Sequence, residues 1–321
     1  MEAAPRIHRI DTPLGDRMCS LFVLVGRDLT MLIDTGVAGS IEQYVLPYLS
    51  SIGLRPESVR LVLVTHADID HSGDTAGAKR AFPHALLAAH RDDAAEISSV
   101  EELISRRYGQ FEAAHGIAES EATNAWFRAA GDAVPIDLAL SGGGRIRLGE
   151  GWDVHILHTP GHSRGHLTVW DPRSRTAIIA DAALWRTLVT TAGAPVFPPT
   201  YRYVDAYRGS IAQIAALDPD IVLTSHFPTM TGSAGMAFLA ESRAYVDVVE
   251  EVVLNAVRAS GRVTAREVIN IVAPRMGPWP LETAFNALAY PVIGHLERLT
   301  FVGALTAGLS ADGITTWEAS R

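Results

Sequence analysis

The sequence predicts an α/β (α+β) fold in which β-sheets are flanked by helices and a smaller, mostly helical unit follows. Three observations predict it. Over the first two thirds of the 321 residues, short apolar runs alternate with turns rich in Gly, Pro and Asp. Helical stretches fall between several of those runs, the pattern of sheets covered by helices. From about Glu241 the apolar residues recur at helical spacing instead, which divides the chain into residues 1–240 and 241–321.

The strands read in order are "SLFVLVG", "TMLIDTG", "VRLVLVTH", "ALLAAH", "RIRLGEG", "WDVHILHTPG", "LTVWD", "TAIIAD" and "DIVLTSH". Runs this short, bounded by turn residues, suit strands buried on one or both faces. "SIEQYVLPYLSSIG" and "YVDAYRGSIAQIAAL" read as helices, and residues 91–130 as an inserted helical segment placed to cover one side of a pocket. In the last unit "YVDVVEEVVLNAVRAS" is a helix. "GRVTAREVINIVAP" carries Thr264 and Glu267 at capping-box spacing, so a short helix begins there and is expected to end before Pro274. "LETAFNALAYPVIGHLERL" is a third helix, and "FVGALTA" with "GITTWEA" a hairpin, which together give the order of a winged-helix-like domain.

Composition narrows the function classes. No run reaches the roughly 18–20 apolar residues of a membrane span, and "MEAAPRIHRIDTP" lacks the layout of a signal peptide, so a cytoplasmic protein without a membrane partner is expected. Cys19 is the single cysteine, so any metal must be held by His and carboxylate. A net charge of −9 disfavours nucleic acid, which needs a basic surface. Residues 242–321 hold seven Arg against eight Asp and Glu, so this unit too is unlike a DNA reader; packing, pocket closure or homodimer contact are the roles expected of it.

The chemistry lies at the ends of the predicted strands. His66 follows "LVLVT", His162 follows "ILHTPG", Asp181 follows "AIIA" and His226 follows "IVLTS". Ligands at the carboxyl ends of several strands converge in space. The loop "THADIDHSGD" adds Asp68, Asp70 and His71 to His66, more donors than one ion can take without crowding, so two ions sharing the loop is the economical geometry. "GHSRG" at 161–165 also fits the nucleophile elbow of a serine hydrolase, but "HLTVWDP" after it reads as a strand where an elbow needs a helix.

On these motifs the chain resembles the metallo-β-lactamase fold superfamily: Asp34 in "LIDTG", the loop "HADIDH", His162 in "TPGHS", Asp181 in "IIADA" and His226 in "LTSH" occur in the family's order across roughly residues 10 to 230. The resemblance implies a four-layer αββα sandwich with two divalent ions. It assigns His66, Asp68 and His162 to the first ion, Asp70, His71 and His226 to the second, and Asp181 to both. Asp34 stands behind them as a hydrogen-bonding support. Relatives usually carry His where this chain has Asp68. The extra carboxylate makes the cluster more neutral, so manganese or iron competes better with zinc, which remains the first expectation.

The resulting expectation is a binuclear metallohydrolase acting on a small-molecule ester, thioester or lactone through a hydroxide bridging the ions, with Asp70 handling the proton. Trp185, Phe197, Tyr201 and Tyr203, in the aromatic stretch after Asp181, are the candidate substrate wall; packing between loop and helix is the other use of these rings. The family's flavo-di-iron branch also has a carboxylate at position 68, which makes a di-iron oxidoreductase with an external electron donor one alternative. A metal-binding protein without turnover is another.

Overall fold

A computed structural model describes residues 1–320, so Arg321, the last residue of the unit 241–321, lies outside the described residues. The first sheet has seven strands in sequence order: β1 (Glu2–Ala4), β2 (Ile7–Leu14), β3 (Arg17–Val25), β4 (Thr30–Ile33), β5 (Val59–Leu63), β6 (Leu86–His90) and β7 (Leu138–Leu140). It is antiparallel from β1 to β4 and parallel from β4 to β7. The second sheet takes β8 (Gly144–Gly149), β9 (Trp152–His158), β10 (Leu167–Asp171) and β11 (Thr176–Ala180). After a short ribbon, β12 (Leu188–Val189) with β13 (Pro195–Phe197), it adds β14 (Ile221–Thr224) and β15 (Met230–Thr231). Its strand order is β15-β14-β11-β10-β9-β8.

Two-residue periodicity builds the layers. In β3, Phe22 and Leu24 point to one face with Met31 and Ile33 of β4, where they meet Ile156, Val169, Ile178 and Leu223 of the second sheet. The alternate residues Leu21 and Val23 face outward with Leu32 and Val62 and are covered by Ile41, Val45, Leu49 and Phe82 from helical segments. The second sheet repeats this: Trp170, Ala177, Ile179 and Val222 turn outward onto the helix Val204–Ala216 and the first turns of Ser233–Ser260. Helix, sheet, sheet and helix therefore stack as a four-layer αββα sandwich, because strands apolar on both faces must be covered on both.

Every strand read from the sequence is present; in the first sheet β1, β2 and β7 are additional, as are the short strands β12, β13 and β15 and one in the last part of the chain. In β2, "IHRIDTPL" places Ile7, Ile10 and Leu14 inside among polar residues that obscure the alternation. The insertion at 91–130 is a chain of short pieces, Ala94–Ser98, Val100–Glu102, a π-helical turn Leu103–Tyr108, Glu112–His115 and Glu121–Ala130. The last part of the chain packs helices Ser233–Ser260, Ala265–Met276 and Leu281–Phe301 around one apolar core with a small sheet of β16 (Val263–Thr264), β17 (Leu305–Leu309) and β18 (Thr315–Ala319). The capping box forms as expected, Thr264 and Glu267 each satisfying the other's backbone N–H. The helix it starts does not stop before Pro274 but runs to Met276; the carbonyl that loses its partner to proline belongs to Asn270, which is exposed and can take water. Among the described residues, no helix is long and apolar enough to cross a membrane.

Candidate metal centre and active-site cavity

All seven expected ligands meet at one end of the sandwich. His66, Asp68, Asp70 and His71 come from the turn after β5 and the helical turn Ile69–Ser72, His162 from the loop after β9, Asp181 from the end of β11, and His226 from the end of β14. His226 Nε2 lies 3.3 Å from Asp181 Oδ2 and 3.6 Å from Asp70 Oδ2, while His71 Nε2 lies 3.7 Å from Asp181 Oδ1. Two ligands about 2.1 Å from a tetrahedral ion stand about 3.4 Å apart, so these gaps are coordination spacings.

The supports behind the ligands set their tautomers. Asp34, fully buried and at φ +63°, accepts hydrogen bonds from Thr65 N (2.6 Å), Thr65 Oγ1 (2.9 Å) and His71 Nδ1 (2.9 Å). His71 Nε2 is thereby left facing the site. His226 Nδ1 donates to the Met18 carbonyl at 2.9 Å and turns its Nε2 the same way. His166, whose position near His162 in a strand or turn suits hydrogen-bonded structure better than ligation, accepts the Asp181 backbone N–H on Nε2 at 3.2 Å and pairs its Nδ1 with Thr159 Oγ1 at 3.0 Å. It holds the bend at Ala180, φ +42°, that presents Asp181. No sequence pattern separates such a histidine from a ligand four residues earlier.

The electrostatics call for a cation. Burial opposes charge on His71, but the carboxylates of Asp70, Asp181 and Asp34 outweigh it and hold its pKa at about 10. Burial and the neighbouring His71 push His66 down to about 3. Burial would raise Asp181, yet His226 and His71 hold it well below the usual carboxylate range. His66 Nε2, His71 Nε2 and Asp181 Oδ1 are buried atoms without a hydrogen-bond partner, within 4.8 Å of one another. Unpartnered ligand atoms of this type, converging among carboxylates that favour a positive charge at their centre, fit a divalent cation.

Asp68 has a different neighbourhood. Arg107, from the π-helical turn, grips it two-pronged: Nε to Oδ1 at 2.8 Å and Nη2 to Oδ2 at 3.0 Å. Nη1 donates to the His162 carbonyl at 3.0 Å, and the guanidinium lies over the Tyr290 ring with its carbon 4.7 Å from the centroid. Burial opposes ionisation of Asp68, but Arg107 and the bond from His162 hold its pKa well below the usual range. Arg107 is a site residue that the sequence reading missed. The signal that could have found it is compositional: a carboxylate at a position where relatives use a neutral His calls for a cation, and with Lys79 the only lysine, arginine is the side chain to look for.

Asp68, Asp70, Asp181 and His226 open into a cavity of about 660 Å³. One wall is the insertion, with Arg107, Tyr108, Trp126 and Phe127; another is the helix Leu281–Phe301, with Glu282, Phe285 and Tyr290; Leu14, Leu188 and Phe197 add to the apolar part, and Arg17 and Glu119 to the charges. Of the four aromatic residues expected to form the wall, Phe197 lines the cavity. The others are elsewhere. Tyr201 is fully buried, stacked on Tyr207 with Oη 3.1 Å from His295 Nε2. Trp185 donates its indole N–H to Glu241 at 2.8 Å and packs on the core beneath the second sheet. Tyr203 accepts from Arg164 Nε at 2.8 Å beside a separate cavity. The helices after residue 203 cover these rings, so packing claims them. Ser163 of "GHSRG" donates to Asp93 and is followed by strand β10, not a helix, so the elbow geometry is absent.

Residues 14–226 match the metallo-beta-lactamase superfamily, and the chain belongs to that family. Membership implies a divalent-metal site, which the orphaned His and Asp atoms fit. Two curated proteins named "Probable metallo-hydrolase", from Mycobacterium tuberculosis and Mycobacterium bovis, are 30% identical over 168 residues, 50% of this chain and 47% of theirs. The chain spans about half the length of these curated relatives. A metallo-beta-lactamase family protein of Thermus thermophilus superposes with a TM-score of 0.73 at 19% identity, covering 98% of this chain and 99% of that one. A beta-lactamase domain protein of Burkholderia ambifaria gives 0.72 at 20% identity, covering 100% and 94%. At such identity the likeness establishes the fold.

Proposed function

We propose that this chain is a metal-dependent hydrolase of a small-molecule ester, thioester or lactone. The observation that carries the reading is that Asp70, Asp181 and His226 combine ligand spacing with direct exposure to a half-apolar cavity, so a bound substrate's electrophile reaches the ion-holding atoms. His71, Asp181, Asp70 and His226 would hold the ion, zinc first and manganese or iron next. When bound, the ion supplies Lewis-acid polarisation of the scissile group and acidifies water. Asp34 and the Met18 carbonyl keep His71 and His226 in the tautomers that offer Nε2. Asp70 is the carboxylate at the cavity floor placed to take the proton from attacking water. Phe197, Leu188 and Phe285 exclude water around the organic part of the substrate.

The test is elemental analysis of the purified protein followed by a panel of esters, thioesters and lactones. The expected result is turnover that a chelator abolishes and zinc or manganese restores, and that Asp70→Asn lowers by about 10²-fold or more. A metal-loaded protein that leaves the whole panel intact refutes the hydrolase reading. Iron with a redox-sensitive visible band replaces it with the di-iron alternative.

A further inference from the structure

We propose that the guanidinium of Arg107 takes the place of the first metal ion, so that this protein works with one ion, held on the Asp70, His71, Asp181 and His226 side of the cluster. The inference rests on the metal-dependent reading above and changes the number of ions in it.

The two halves of the cluster differ at one pair of ligands, Asp68 and His162; His66 Nε2, 3.6 Å from Asp68 Oδ2, keeps an open spacing on the first side as well. Around His226 the ligand atoms stand 3.3 and 3.6 Å apart, as they do around an ion. Between Asp68 Oδ2 and His162 Nε2 the gap is 2.7 Å, a direct hydrogen bond. The His162 ring nitrogen that would have to give a lone pair to the first ion is spent on Asp68 and also touches Arg107 Nη2 at 3.1 Å. Both oxygens of Asp68 are engaged by the same guanidinium, Oδ1 by Nε and Oδ2 by Nη2, and Oδ2 also takes the bond from His162.

Charge gives the same answer. Asp68 adds a negative charge to the cluster, and Arg107 supplies one positive charge directly against it. A divalent ion on those same atoms would sit beside a fixed guanidinium at low dielectric, with strong like-charge repulsion. Arginine is always ionised and cannot give way by losing a proton.

Arg107 is also built in. It is 7% exposed and projects from a π-helical turn, a local widening that recurs at functional sites. The Tyr290 ring backs it, and Tyr290 Oη donates to the Arg107 carbonyl at 2.9 Å. Every guanidinium nitrogen has a partner within the protein, on Asp68 or His162. Arg107 is therefore a positioning residue, held by Asp68 and His162.

The test is metal stoichiometry, which needs no substrate. Wild-type protein is stripped with a chelator, saturated with zinc, desalted and analysed for metal per chain, and separately titrated by calorimetry. One ion per chain is expected for the wild type. In Arg107→Met, Asp68 and His162 are released, so the count rises to two with a second calorimetric phase absent from the wild type. Should that variant not fold, Arg107→Gln, which keeps a polar contact to Asp68 without the charge, serves for the same comparison. Two ions in the wild type overturn the inference and leave the hydrolase reading standing. A count of one in both proteins also overturns it, because Arg107 is then not what excludes the second ion. One ion in the wild type, two in the variant and no turnover of any substrate would sustain the inference while the hydrolase reading fails. A chain that binds no ion removes both.

Discussion

Replacing Asp34 with Asn should weaken metal binding 10- to 100-fold while leaving the fold intact. Position 34 has φ +63°, a conformation that Asn adopts as readily as Asp, and the two side chains have nearly the same volume, so neither strain nor a cavity is introduced. The amide oxygen can still accept from Thr65 N, and the Thr65 hydroxyl can turn to accept from the amide. His71 has no such freedom. Its Nδ1, 2.9 Å from Asp34 Oδ2, would meet an N–H and must become an acceptor, which moves the ring proton to Nε2, the atom facing Asp181 and Asp70. To bind metal, the ring must return that proton to Nδ1 and leave two donors opposed in a buried place, a loss of about 1–3 kcal/mol. That corresponds to about 5- to 150-fold, and losing the buried anion acts in the same direction. Outer hydrogen-bond partners of ligating histidines typically contribute about 10- to 100-fold in affinity, which agrees. The assay is competition for zinc with a chromophoric chelator, with circular dichroism as the check on folding. A folded variant whose Kd stays within about threefold of wild type would refute the tautomer argument.

Two further outcomes follow from packing and from charge. A Cβ at Gly294, in the helix Leu281–Phe301, would overlap the Arg202 carbonyl oxygen, so Gly294→Ala should lower stability by about 1–3 kcal/mol, seen as a clear fall in Tm; an unchanged Tm rejects the close approach. Glu250 is held at about 2, below its ordinary 4.5, by His295 beside it and by Arg208 and Arg298, so its stabilisation is complete above pH 4.5 and lost as pH falls toward about 2. After allowance for partial solvent screening the contribution is about 1 kcal/mol; the gap in denaturation midpoint between wild type and Glu250→Gln should be constant above pH 4.5 and close as pH falls from there toward about 2, and a gap independent of pH rejects the linkage.

What was legible in the sequence shares one property: its signal lies within a few residues. Each ligand ends an apolar run, and the strand period carries both the sheet and the position of its carboxyl end, so His66, His162, Asp181 and His226 could be placed together without coordinates. The aromatic wall was not legible. "LWRTLVTTAGAPVFPPTYRY" shows rings near a ligand, but whether a ring faces the cavity or the core depends on helical residues 56 and 94 positions later. Those helices bury Tyr201 against His295 and tie Trp185 to Glu241, leaving Phe197 on the cavity. The adjacent Arg106 and Arg107 show the same limit. Arg106 pairs with Glu102 at the surface while Arg107 points inward, and a π-helical turn, which no spacing rule anticipates, decides between them.

Asp68, Arg107 and Tyr290 join three parts of the chain that sequence patterns treat separately: the ligand loop, the inserted helical segment and the last long helix. The order of dependence runs from the ligand outward. A carboxylate at position 68 is tolerable in a buried site only with a cation against it. The cation offered is a long, flexible side chain, and holding it in one geometry needs contacts on its other face. Tyr290 provides them, ring to guanidinium and hydroxyl to carbonyl. The insertion and the last helix are thus more than cavity walls, because the charge at the metal centre is set by a residue that one supplies and the other fixes in place. Disturbing the last helix at Tyr290 should therefore register at Asp68, across a domain boundary that the sequence alone would draw between them.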